Sequence, residues 1–129
     1  KRTSVLDLTK RGELMKYMDN LTIKIAKTHK NAIIDSRMGA YLIKNADFKI
    51  YLHAPLKTRI SRMAKRDKKS YKITLKETLS RERQELKHYK ARYGTTYQNK
   101  KLYNIILNTD KLTIEQSTKK LINKINKLK

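Results

Sequence analysis

Arginine, glutamate and histidine recur at helical spacing in one short stretch, SRERQELKHYKARYG (80–94). Each residue of a helix turns about 100°, so Arg81, Glu85, His88 and Arg92, at i, i+4, i+7 and i+11, share one side. Leu75, Leu79, Leu86, Tyr89 and Tyr93 fall roughly opposite. Arg59, Arg62 and Arg66 precede this stretch at helical spacing of their own. A guanidinium is planar, permanently charged and rich in N–H donors, which matches phosphate oxygens two at a time. Several of them around a charged break suit a phosphate clamp. Glu85, an acid among bases, has two chemical uses. It can hold arginines in place, or it can accept a hydrogen bond from an exocyclic base amine such as that of cytosine. On geometry alone Arg81 and Glu85 read first as a simple i,i+4 surface pair, worth only about 0.3–0.5 kcal/mol.

The bulk charge has to be separated from this local pattern. The 129 residues carry 33 Lys and Arg against 11 Asp and Glu, a net charge of +22. That balance points to a polyanionic partner: nucleic acid, an anionic surface or nucleotide phosphates. Lysine accounts for 24 of the 33 bases and is spread along the whole chain, as a compositional drift would spread it. Arginine is not spread: six of the nine lie in residues 59–92. Residues 57–101 hold 16 bases and 4 acids, contributing +12 of the total. The absence of cysteine excludes disulfides and thiolate metal sites and fits a reducing, cytoplasmic setting. No apolar run is long enough to cross a membrane, and no membrane partner is expected. His29, His53 and His88 lack metal-ligand spacing, so no protein-held metal is expected.

The elements that would position these side chains alternate in type. Residues 3–30 read as mostly helical, with Leu14, Tyr17, Met18, Leu21 and Ile25 as the apolar stripe and Gly12 as a possible break. NAIID (31–35) reads as a buried strand, and MGAYLIKNA as a short helix or turn. DFKIYLHA (47–54) reads as a second strand with Phe48, Ile50 and Leu52 alternating. Pro55 suits the first turn of a helix to about Lys65, striped by Leu56, Ile60 and Met63. After the charged break KRDKKSY, a long helix is predicted from about Thr74 to Tyr93, stopped by Gly94. YNIILNT (103–109) reads as a third strand. TIEQ (113–116) is a capping box that opens a last helix with Leu121, Ile122, Ile125 and Leu128 on its buried stripe. This order predicts an α/β fold, a parallel sheet flanked by helices.

Taken in order, IIDSRMGAYLIKNADFKIYLHAPLKTRISRMAKRD, RERQELKHYKARYG and YNIILNTDKLTIEQ resemble the cytidylate kinases of the nucleoside monophosphate kinase superfamily, from about Ala32 to Ile125. The resemblance implies a P-loop-kinase-like sheet and phosphoryl transfer from ATP, with Mg²⁺, to CMP or dCMP. It implies one domain over 1–129, with acceptor-binding helices in about 1–30 and a lid and long helix in about 57–94. Matched onto the motifs, Arg37 in DSRMG would contact the acceptor monophosphate. Arg62 and Arg66 would face the transferring phosphates, Arg81 would reach them from the long helix, and Glu85 would read the cytosine. His88 stands where the family often has a base, and it would line the substrate site as a mostly neutral group. Catalysis of this kind is positioning and charge stabilisation, so arginines would carry it.

One family feature is missing from the sequence. The resemblance implies an initial strand and a glycine-rich phosphate loop whose backbone N–H groups cradle the donor phosphates. The glycines are Gly12, Gly39 and Gly94, and no G-x-x-x-x-G-K-[ST] occurs. The expectation is therefore a kinase-like fold incomplete at its N-terminus, with no ATP-cradling residues and no catalysis as an isolated chain. The alternative from another class is an inactive relative that binds RNA or a ribonucleoprotein through its basic face.

Overall fold

The computed structural model describes residues 8–129. The predicted helical residues 3–7 lie outside them. The chain divides into two compact units, 1–47 and 48–129.

The first unit holds α1 (Leu8–Thr28) and α2 (Gly39–Leu42), which pack against each other. The helix α1 runs unbroken through Gly12, because a single glycine weakens a helix without stopping it. Its predicted apolar stripe is exposed, Tyr17 and Met18 most of all. NAIID forms no strand: Ile33 is 99% exposed and no ladder partner pairs with it. An extended segment without a neighbouring strand gains no hydrogen bonds from its conformation. Gly39 is buried at the start of α2, where an added Cβ would meet the Ser36 Cβ at 3.1 Å.

The second unit holds β1 (Ile50–His53), α3 (Leu56–Asp67), α4 (Tyr71–Tyr93), a short 3₁₀ turn at Lys100–Leu102, β2 (Ile105–Asn108) and α5 (Ile114–Leu128). The strands β1 and β2 run parallel, with Ile50 opposite Ile105 and His53 opposite Asn108. The chain is thus α/β, a small parallel sheet flanked by helices, and α3 and α4 form the crossover that parallel pairing requires. Ile105 and Leu107 are buried, whereas Leu52, predicted to point inward, is 53% exposed. Among the described residues β1 has one ladder neighbour.

Local chemistry sets the helix ends. Pro55 caps α3 from just outside it, and its carbonyl accepts from the Arg59 N–H at 3.0 Å. Lys68 ends α3 in the left-handed conformation (φ 54°), so the charged break is a true turn. Ser70 Oγ then accepts from the Ile73 N–H at 3.2 Å, which starts α4 three residues before the predicted Thr74. Gly94 ends α4 at φ 76°, a conformation glycine adopts without penalty. Thr113 and Gln116 complete the predicted capping box of α5. On that helix Leu121 and Ile125 are half-buried, while Ile122 and Leu128 are exposed.

The leucines of α4 are not its most buried residues: Leu75 and Leu86 are half-buried. Its buried residues are Thr74 and Thr78, at 5% and 2% exposure, and those of its partner α3 are Ile60 and Ala64. Leu79, predicted for the core face, is exposed. Small β-branched side chains allow close approach of two helices. The Thr74 hydroxyl is satisfied by donating to the Ser70 carbonyl at 2.8 Å. The packed side of α4 therefore falls between the two faces predicted from the sequence.

Candidate functional site

Both strands of the parallel pair end at the same edge, at His53 and Asn108. Ligands of open α/β sheets bind outside the carboxyl ends of the strands. Here that edge is tied to α3 by side chains. The Thr58 hydroxyl donates to an Asp110 carboxylate oxygen at 2.7 Å. One turn later Arg62 donates from Nη1 to Thr109 Oγ1 at 2.9 Å and from Nη2 to the Thr109 carbonyl at 2.7 Å. The Thr109 backbone N–H donates to the His53 carbonyl at 2.8 Å, and its hydroxyl lies 3.3 Å from the same oxygen. Thr109 thus joins the end of β1, the end of β2 and a guanidinium.

Arg59, about one turn before Arg62, ties α3 to β1 and α4. Its Nε donates to the Ala54 carbonyl at 3.1 Å, just past the end of β1, and its Nη1 donates to Glu82 of α4. Glu82 is the less exposed partner, at 14% against 34% for Arg59. The pair pins α4 to the strand end through α3.

Arg66 sits at the far end of α3 and forms a two-point pair with its neighbour Asp67, at 2.8 and 3.0 Å. That hydrogen bond holds the Asp67 carboxyl below its ordinary range; the charges of Arg66, Lys69 and Arg81 add to the effect, and desolvation opposes it. The same bond, with the Coulombic attraction of Asp67, raises the Arg66 guanidinium. Lys69 pairs with Glu77 across the break at 3.1 Å.

Arg81, Glu85 and His88 lie along α4 as their spacing predicts. Arg81 is exposed, with Nη2 at 4.0 Å from the Met63 sulfur of α3. Glu85 and His88 are half-buried, and Glu85 Oε1 is shielded from solvent. The His88 ring lies 6.4 Å from that of Tyr89, which in turn neighbours Tyr93 and Tyr97. Tyr97 leads back to β2: its carbonyl accepts from the Tyr103 hydroxyl at 2.6 Å, and Tyr103 stacks on Tyr51 of β1 at 4.9 Å. Burial, with smaller contributions from Tyr51 and Tyr97, pushes the Tyr103 phenol up to about 12.

The structure thus brings Arg62 to the strand ends and sets Arg81 beside α3, while Arg66 is turned onto Asp67. Arg37 belongs to the first unit, exposed in the turn that opens α2. Sequence reasoning overlooked Thr58, Glu82, Thr109 and Asp110. Asn-Thr-Asp after an apolar strand reads only as a turn, and nothing local marks Thr109 as the partner of an arginine 47 positions earlier. Among the described residues no group of three or more His, Asp or Glu could hold a metal ion.

A guanidinium at the carboxyl ends of parallel strands has the chemistry to pair with an anion. Residues 3–111 match the family model described as the cytidylate kinase-like family. The chain is 32% identical over 121 residues to a cytidylate kinase of Sulfurisphaera tokodaii, covering 90% of this chain and 67% of that protein. It is 36% identical over 97 residues to a cytidylate kinase of Thermococcus kodakarensis, covering 75% and 50%. It is 35% identical over 103 residues to that of Pyrococcus horikoshii, covering 80% and 53%. The chain belongs to the cytidylate kinase-like family, and its matches span half to two-thirds of the length of these relatives. No helix of the described residues is long and apolar enough to cross a membrane.

Proposed function

We propose that this chain supplies the acceptor-reading and lid elements for phosphoryl transfer from ATP to CMP or dCMP. The observation that carries the reading is the Arg62 guanidinium held at the carboxyl ends of the two parallel strands. The names of the relatives supply the cytidylate and the transfer chemistry. In this reading Arg37 binds the acceptor monophosphate, Glu85 accepts the cytosine amine, and His88 lines the base. Arg62, Arg66 and Arg81 stabilise charge on the transferring phosphoryl group. Arg66 keeps three N–H donors beside its pair with Asp67, and release of that carboxylate would free its full charge for the phosphates. The units 1–47 and 48–129 then work as one nucleoside-monophosphate-kinase-like domain in the cytoplasm.

The donor phosphates need a backbone cradle that this sequence does not contain. The additional length of the relatives is where the reading puts it, and the isolated chain is expected not to turn over. Mg²⁺ would be supplied with the nucleotide, whose phosphates and waters would hold it and whose charge it would neutralise.

Calorimetric titration of the 129-residue chain with CMP, dCMP, UMP and AMP at physiological ionic strength tests the acceptor assignment. Cytidine monophosphates should bind best, and Glu85→Ala should remove that preference. Equal affinity for all four, or none for any, would refute it. An RNA-binding role predicts instead a retained RNA whose affinity falls linearly with log salt and is indifferent to Glu85→Ala.

A further inference from the structure

We infer that Thr109 is a positioning residue for the Arg62 guanidinium, setting its plane while leaving most of its donors for phosphate. The inference rests on the function proposed above. A guanidinium offers five N–H donors. Thr109 takes one from each terminal nitrogen, through its hydroxyl at 2.9 Å and its carbonyl at 2.7 Å. Two contacts to one residue fix the fork in orientation, and three N–H groups still point elsewhere. The partner is neutral, so the positive charge survives, in contrast to Arg59 and Arg66, which face the carboxylates of Glu82 and Asp67.

The hydroxyl is itself oriented. Its lone pair meets Arg62, and its proton is directed at the His53 carbonyl 3.3 Å away, the oxygen that already accepts the Thr109 N–H. The next residue repeats the tether in the same sense, since Asp110 accepts from Thr58, one turn before Arg62 on α3. The Asp110 N–H in turn donates to Asn108 Oδ1 at 2.8 Å, which fixes the turn that carries both residues. A pre-set guanidinium spares the rotamer ordering that a free arginine undergoes on binding.

The test is a double-mutant cycle on the full 129-residue chain with inorganic pyrophosphate as the probe, read by calorimetry and by the side-chain N–H signals of Arg62 in nuclear magnetic resonance. Thr109→Val keeps the shape and removes the hydroxyl. It should weaken pyrophosphate about tenfold, the scale of one hydrogen bond to a charged group, and average the Arg62 Nη signals. Thr109→Ser should restore both. In an Arg62→Met background Thr109→Val should change the affinity no further, which a general structural defect would not produce. If Thr109→Val weakens binding by the same factor with and without Arg62, or leaves wild-type affinity intact, the inference is overturned while the proposed function stands. If the wild-type chain ignores pyrophosphate altogether, both fall.

Discussion

Removing the two ends of the Arg59–Glu82 pair should have unequal effects. Arg59→Met takes away the charge and keeps most of the stem. It leaves the Glu82 carboxylate, 14% exposed, without its cation, and it also deletes the Nε bond to the Ala54 carbonyl. An exposed ion pair is worth about 0–1 kcal/mol, and removing one end of a fully buried pair costs about 3–5 kcal/mol. Glu82 lies nearer the buried limit, so we expect a loss of about 2–3 kcal/mol, including about 1 kcal/mol for the backbone bond. Glu82→Gln should cost less, about 1 kcal/mol, because Arg59 is 34% exposed, keeps Ala54 and can still donate to an amide oxygen. Replacing both residues by Met removes the stranded charge and should recover part of the Arg59→Met loss. Urea unfolding followed by circular dichroism would read these losses as midpoint shifts, on the order of 1–2 M for Arg59→Met at a slope of about 1.5 kcal/mol/M. A larger loss for Glu82→Gln than for Arg59→Met would show that the pair does not owe its strength to the burial of Glu82.

Three smaller effects follow from the same structure. Tyr103→Phe removes the 2.6 Å bond to the Tyr97 carbonyl and should cost about 0.5–1.5 kcal/mol. In the wild type one phenol should titrate near 12 in ultraviolet absorbance. Its folded value lies above its unfolded one, so its stabilising contribution is complete below about pH 10 and is lost as the pH rises through about 12. Thr113→Ala removes the hydroxyl that accepts from the Gln116 N–H and leaves the backbone N–H that donates to Gln116 Oε1; it should cost about 1 kcal/mol, visible as faster amide exchange in the first turn of that helix. Gly94→Ala meets no atom within 4 Å, so its loss, about 1 kcal/mol in thermal or urea unfolding, is purely that of placing a Cβ at φ 76°.

Features fixed by local chemistry were legible in advance: the Thr113 box, the Gly94 stop, the turn at KRDKKSY and the strands around Ile50 and Ile105. Features that depend on a neighbour were not. NAIID has a strand-like composition, yet Ile33 is almost wholly exposed because no strand pairs with it. The periodicity of α4 pointed to leucines, yet the helix buries Thr74 and Thr78, because Ile60 and Ala64 of α3 leave room for close approach and Glu82 is drawn inward by Arg59. Arg62, Arg81 and Glu85 were expected as candidates from residue type and spacing. Thr109 and Asp110 were not, since their partners on α3 lie 47 and 52 positions earlier in the chain.

The scarcity of acids in this region sorts its arginines into kinds. Residues 57–101 hold four acids among sixteen bases. Three of the acids pair with a base: Asp67 with Arg66, Glu77 with Lys69 and Glu82 with Arg59. Each such pair fixes a geometry, at the cost of much of the attraction its cation could offer an incoming phosphate. Arg62 is fixed in a different way, by a neutral threonine at a strand end, so orientation is gained and the charge retained. Stabilising a transferring phosphoryl group requires both properties in one side chain. Held by a carboxylate, Arg62 would be ordered but largely neutralised; with no partner at all, it would keep its charge but have to be ordered by the ligand. The lysines that make up most of the +22 lack the planar fork that two-point fixation needs. In the proposed function, the net charge would draw a polyanion toward the whole surface, while discrimination of a phosphate at the strand ends would fall to an arginine held by Thr109.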